Sequence, residues 1–220
     1  MKLTEVAAHK AQISTNGRTP AIGTEVEVLL EARAVKAILD AFLVNYLREP
    51  SQTSISYKRS VKTRVGLSSL LHISSNPQAK HYSFTPFTQQ GEVLTNTTWI
   101  DNGQILHLPT QQLPWQIQAG GFTNEQLQQR ISKGIVVANV QGLAFQNEIG
   151  TILTGCTTGG VFWVENGKVT TPIKNIRFQI DCVAFLTAIT ALGVEEVIDG
   201  SKACALLAPH FQLISVSDSY

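Results

Sequence analysis

Two Asn-Gly pairs, each set between apolar and β-branched runs, limit what this chain can fold into more than any other feature. Trp99-Ile100-Asp101-Asn102-Gly103-Gln104-Ile105 and Trp163-Val164-Glu165-Asn166-Gly167-Lys168-Val169 correspond in character at every position. A type I′ turn needs positive φ at both central residues, which Asn and Gly tolerate and most side chains resist. Each stretch therefore reads as an antiparallel hairpin, the first within 92–108 and the second within 161–173. Duplication of one unit and separate use of the same hairpin chemistry both account for the echo.

A Gly/Thr-rich stretch, Gly155-Cys156-Thr157-Thr158-Gly159-Gly160, runs straight into the second hairpin. It reads as a loop. Its glycines allow a ligand or another backbone to come close, so Gly155, Thr157, Thr158, Gly159 and Gly160 are candidate binding residues. A plain connector is the alternative. Lys168, Lys174 and Arg177 alternate with apolar residues, which places them on the wet face of a strand rather than in a phosphate site.

Around the hairpins the period of the apolar pattern changes several times. Residues 23–30 alternate and then turn apolar, as a strand with one buried end does. From Glu31 to Leu47, Ala34, Val35, Ile38, Leu39, Phe42, Leu43, Tyr46 and Leu47 recur at helical spacing, and Pro50 ends the run. The basic run Ser51–Arg64 reads as a solvated loop. Leu67–Ile73 reads as a short strand carrying a half-buried His72. Thr123 with Gln126 forms a capping box that starts a helix through Ser132. Residues 134–145 form a strand. Asp181 caps a last helix through Leu192 with Gly193 at C′, and Glu195-Glu196 follow on a turn. Ala203–Ala208 and Phe211–Val216 read as two strands broken at Pro209. The expected fold is α+β: a mostly antiparallel, barrel-like or strongly curved sheet with about three helices packed on it, in one domain over 1–220 with 1–17 as a lead-in.

The chain has 220 residues, 43% of them hydrophobic, enough for a core of some size. Net charge is +1 and the pI about 7.8, without the basic stripe of a nucleic-acid binder, so no nucleic-acid partner is expected. No apolar run approaches the ~20 residues of a membrane helix. The first residues lack the apolar core of a signal peptide, and Cys156, Cys182 and Cys204 show no CxxC spacing. Reduced thiols in a cytoplasmic protein are the expectation.

Chemical motifs are sparse. There is no GxSxG elbow, P-loop or GxGxxG, and no HExxH or HExxxH. The histidines His9, His72, His81, His107 and His210 are scattered, no two lying within one helical turn. The run Val164–Phe178 (VENGKVTTPIKNIRF), the helix after it and the closing Phe211–Tyr220 segment (FQLISVSDSY) resemble the C-terminal half of the TldD/PmbA family. That family comprises zinc-dependent peptidases and non-catalytic partners, described as candidate modulators of DNA gyrase. More loosely, the resemblance extends back to about Arg18.

The resemblance implies a dimer, formed with a second copy or with a TldD/PmbA-type partner chain, and a peptide held in extended form. In active members an HExxxH helix of the other half supplies two zinc ligands, and a cysteine in a glycine-rich segment after the last helix supplies a third. Cys204 falls in that region, without the surrounding glycines, and reads otherwise as a small core residue. No cofactor is expected in the isolated chain. Candidate partner surfaces are Tyr82–Phe87 and Leu113–Phe122, where Trp115 and Phe122 flank Gly120-Gly121; the alternative is that these loops fold back and cover the sheet. Three functions follow: a non-catalytic domain assisting peptide or partner binding, half of a zinc peptidase completed by another chain, or a stand-alone binding domain.

Overall fold

The computed structural model describes residues 17–47, 66–77, 79, 87, 91, 93–107, 114–146 and 151–216. Residues 1–16 of the 1–17 lead-in, the basic run 51–64 and the aromatics Tyr82 and Phe84 lie outside them.

Strand β1 (Glu25–Leu30) leads directly into helix α1 (Ala32–Ala41), which widens into a π-helical turn at Phe42–Leu47. The helical period of the sequence places Ala34, Val35, Ile38, Leu39 and Phe42 on one face, and all are buried against β6 and β11. Next come β2 (Ile73–Ser75), β3 (Thr97–Asp101), β4 (Gln104–Ile105) and β5 (Gln116–Ile117). Helix α2 (Asn124–Gln128) precedes β6 (Lys133–Phe145), β7 (Ile152–Glu165), β8 (Lys168–Ile173) and β9 (Ile176–Asp181). Helix α3 (Cys182–Thr187), β10 (Ala191–Ile198) and β11 (Ser201–Val216) complete the chain.

All eleven strands belong to one sheet, ordered β1-β6-β7-β9-β11-β5-β2-β3-β4, with β8 on β7 and β10 on β11. β11 also pairs with β1, so β1, β6, β7, β9 and β11 close a circuit of hydrogen-bonded strands. β1–β6 and β11–β5 are parallel and the other pairings antiparallel. The long strands bend at bulges and leave the circuit at their ends, which gives a strongly curved sheet rather than a regular barrel. The core fills its inner face. There Phe178 stacks on Phe211 with ring centroids 4.6 Å apart, beside Phe185.

Both Asn-Gly hairpins form as the sequence demands. Asn102 and Gly103 have φ of 45° and 76°, and Asn166 and Gly167 have 49° and 76°. The capping box of α2 is complete, with Gln126 N–H donating to Thr123 Oγ1 and Thr123 N–H to Gln126 Oε1. Asp181 caps α3 by accepting from Val183 N–H and Ala184 N–H.

Five expectations need correction. The helix that starts at Thr123 ends at Gln128 rather than Ser132. Residues 155–160 are not a loop but the middle of β7. Gly159 (φ 73°) and Gly160 (φ 109°) form a bulge there, between the Val137–Val161 and Asn139–Thr158 pairs. The last helix stops at Thr187, whose hydroxyl donates back to Val183 O at 2.7 Å. Gly193 and Glu195-Glu196 are strand residues of β10, because the upper half of β11 takes 191–198 as its antiparallel neighbour. Pro209 does not break the final strand: His210 adopts φ 65°, the register on β1 shifts between Val26 and Val28, and β11 continues. Finally, Leu67–Leu71 is a turn region held by Gly103 (Leu67 N–H to Gly103 O, 2.9 Å), and the strand starts at Ile73.

Candidate functional site

Residues 114–122 form a strap across the β10–β11 hairpin. Its first end is bolted down from both sides. Lys202 N–H donates to Trp115 O (2.8 Å), Trp115 N–H to Ser201 Oγ (3.2 Å), and the Trp115 indole N–H to Asp40 Oδ1 (2.7 Å). Trp115 is 1% exposed, so its ring anchors the strap to α1 and does not face solvent. Midway, Gly120 lies directly on the backbone of Leu192; a Cβ there would sit 2.8 Å from the Leu192 carbonyl carbon and closer still to its oxygen. At the far end Phe122 bridges Gly193, with Val194 N–H donating to Phe122 O at 3.0 Å. The Phe122 ring carries the Arg130 guanidinium 4.0 Å from its centroid, a cation–π contact that tethers α2.

Beneath the strap is a groove of about 630 Å³, walled by His72 and Ser74 of the β2 region, Gln116 and Gln118 of the strap, and Val194 and Lys202 of the hairpin. Its charges are paired. His72 Nδ1 lies 2.8 Å from Asp101 Oδ1, and Lys202 Nζ 2.9 Å from Glu195 Oε1. Gln116 Nε2 donates to Ser74 Oγ. The groove is therefore neutral and rich in hydroxyl and amide groups, suited to polar main-chain atoms rather than to a charged centre.

The edge of β10 adjoins this groove. Past the Phe122–Gly193 bridge the chain turns away into α2, and Glu195–Ile198 have no partner strand on that side among the described residues. Val194 and Val197 are 44% and 57% exposed beside it. An open edge with exposed valines is a template for an added strand.

The remaining sequence candidates sit elsewhere. Gly155 is buried in β7, where a side chain would meet the Phe178 ring at 2.9 Å, so it is glycine to let that ring pack. Thr157 is also buried, and its hydroxyl accepts from Ile176 N–H at 2.9 Å, tying β7 to the start of β9. Thr158 pairs with Asn139 beside the bulge of Gly159 and Gly160, remote from the strap in the sheet order. Cys204 lies in β11 with no exposed surface; burial pushes its thiol up to about 12, the amide of Gly193 working weakly the other way and Glu196 adding to the rise. Cys182 is likewise pushed up to about 12 by burial, then by Asp181. Neutral thiols of this kind are poor metal ligands, and no cluster of three metal-ligating side chains occurs among the described residues.

A second concavity, of about 620 Å³, lies between the 18–24 segment and the outer face of β1, β6, β7 and β8. Glu27 sits in it, its carboxyl raised above the ordinary range by desolvation, with the Ser132 amide pulling the other way. No sequence motif marks this cleft. Its residues come from four strands, and only the register brings them together.

The fold and site thus define an α+β domain that presents a strapped groove and an open strand edge. Residues 109–214 match the model of the PmbA/TldA metallopeptidase C-terminal domain. No curated protein matches the chain. Among solved structures, a candidate modulator of a DNA gyrase from Thermotoga maritima superposes with a TM-score of 0.78 at 20% identity, over 96% of this chain and 53% of that one. A like-named protein from Bacteroides thetaiotaomicron gives 0.78 at 13% identity, over 96% and 52%. TldE from Thermococcus kodakarensis gives 0.74 at 16%, over 98% and 55%. The chain spans about half the length of these relatives. Over residues 109–214 it resembles the C-terminal domain of the TldD/PmbA family, in keeping with the likeness read from the sequence.

Proposed function

We propose that this domain is a non-catalytic unit of the TldD/PmbA type that holds a peptide in extended form along the outer edge of β10. One observation carries the reading: an extended segment of the chain already docks on that edge. Phe122 pairs with Gly193 in parallel and leaves, and the edge continues unpartnered through Ile198 among the described residues. A peptide entering there meets main-chain donors and acceptors, with Val194 and Val197 beside it. The hydroxyl and amide groups of the groove take its neighbouring polar atoms. Affinity of this kind comes from backbone pairing and is tolerant of sequence. A TldD/PmbA-type partner chain, or a second copy, would supply whatever catalytic residues act on the bound peptide.

The test is fluorescence anisotropy with a fluorescein-labelled, unstructured dodecapeptide and the same peptide N-methylated at alternate residues. The unmodified peptide binds, and methylation, which removes alternate donors and blocks the ladder, weakens it by about tenfold or more. Equal binding of the two peptides, or none of either, refutes strand addition. Stoichiometric zinc in the purified chain would instead favour the rival reading of a peptidase half.

A further inference from the structure

The cleft between the 18–24 segment and the β1–β6–β7–β8 face has charges that find no partners among the described residues. The pairings Glu27–Gly134, Lys133–Glu165 and Trp163–Thr171 put Glu27, Lys133, Trp163 and Glu165 around one hollow, and the Arg18–Ile173 bridge adds Arg18 at its far end. Glu165 is held by the Trp163 indole N–H at 3.0 Å, and Glu25 by His210 at 2.9 Å. Neither Arg18 nor Lys133 has a carboxylate within 4.0 Å among the described residues, and Glu27 has no cation there, only the Ser132 amide. Lys133 Nζ instead stands 5.9 Å from the Trp163 ring centroid, at the limit of a cation–π contact.

A ligand of one sign does not suit such a hollow. A simple anion drawn to Arg18 and Lys133 would face Glu27 and Glu165, and a simple cation drawn to the carboxylates would face the two basic groups. A molecule carrying both charges gives Glu27 a cation and Arg18 and Lys133 an anion, while Glu165 keeps the Trp163 indole N–H. The volume is that of a small-molecule site, and Trp163, Ile173 and Pro20 line it with apolar surface.

We propose that this cleft binds a small zwitterion of the amino-acid or short-peptide class. Its ammonium group pairs with Glu27, its carboxylate with Arg18 and Lys133, and an apolar side chain rests against Trp163. The site is separate from the strapped groove, and neither reading depends on the other.

Isothermal titration calorimetry of the full chain with the dipeptide Leu-Leu, with N-acetyl-Leu-Leu and with Leu-Leu amide tests it. Leu-Leu binds, and each cap weakens binding roughly tenfold, as expected for loss of one charged hydrogen-bonding partner. In Glu27→Gln, acetylation no longer matters while amidation still does; in Arg18→Gln, the amide penalty shrinks and the acetyl penalty persists. Both side chains line a surface cleft, and circular dichroism of each variant checks that the fold is retained. Equal affinity for capped and uncapped forms, or no heat from Leu-Leu at millimolar concentration, overturns the assignment. So does a cap penalty unchanged in both variants.

Discussion

Replacing Gly120 by Ala should undock the strap, and the same change one residue on should not. At Gly120 the new methyl would lie 2.8 Å from the carbonyl carbon of Leu192, closer still to its oxygen, and 3.2 Å from its Cβ. Backbone cannot swing aside as a side-chain tip does, so the strap and β10 must part by about 1 Å to reach ordinary contact. Overpacking of this kind costs ~1–3 kcal/mol. The movement also strains Lys202 N–H to Trp115 O and Val194 N–H to Phe122 O, each contributing ~0.5–1.5 kcal/mol. Against this, Gly→Ala restricts the unfolded chain and returns ~0.4–1 kcal/mol. The balance is a destabilisation of about 2–4 kcal/mol. At Gly121 an added Cβ meets nothing within 4 Å and φ is not positive, so only the unfolded-state gain remains. Urea unfolding followed by tryptophan fluorescence compares the two, since Trp115 sits at the root of the strap. Midpoints for Gly120→Ala and Gly121→Ala within ~0.5 kcal/mol of each other would refute the docking argument. If the groove shapes peptide binding, Gly120→Ala should also weaken the labelled dodecapeptide while Gly121→Ala leaves it unchanged.

Phe42 and Leu186 are 0% and 1% exposed, and truncation to Ala should cost ~3–5 and ~2–5 kcal/mol respectively, read as lowered denaturation midpoints. Cys182 and Cys204, buried and with thiols pushed up to about 12, should resist iodoacetamide in the folded protein while Cys156 is modified first; simultaneous modification of all three contradicts the burial. The raised Glu27 carboxyl binds a proton more readily folded than unfolded, so its contribution to stability is present at low pH and declines as pH rises through the ordinary carboxyl range and above. Glu27→Gln should therefore gain stability relative to the native chain near neutral pH, with the gain vanishing at acid pH; thermal midpoints across pH check the sign.

Local chemistry was readable residue by residue. Asn102-Gly103 and Asn166-Gly167 dictate their turns because positive φ at two successive positions leaves few alternatives. The α1 face, the Thr123–Gln126 box and the Asp181 cap follow from spacing within one or two turns. A third turn of the same kind, Asp199-Gly200 with φ of 47° and 79°, carries a cue as plain as the other two. It marks β10 as a strand, yet Ile189 and Leu192 also fit the helical period that begins at Asp181. Short apolar runs suit both periods, and local pattern cannot choose between them.

Only the tertiary structure made that choice. β11 is sixteen residues long, and its upper half needs a hydrogen-bonded neighbour, so 191–198 extends. The same logic drew Gly155–Gly160 into β7, where glycine serves the Phe178 ring and a bulge instead of a loop. It also carried β11 through Pro209, because β1 pairs across the kink. Trp115, in a segment that the sequence leaves either partner-facing or folded back on the sheet, is buried, and its indole N–H donates to Asp40 of a helix 75 positions earlier in the chain. The charged cleft is the clearest case. Arg18, Glu27, Lys133 and Glu165 have no common sequence pattern, since strand pairing joins residues by register across the sheet, and register is a property of the whole fold. The sequence alone determines turns, caps and faces, whose physics acts over a few residues; strand partners and sites depend on contacts that exist only once the sheet has closed.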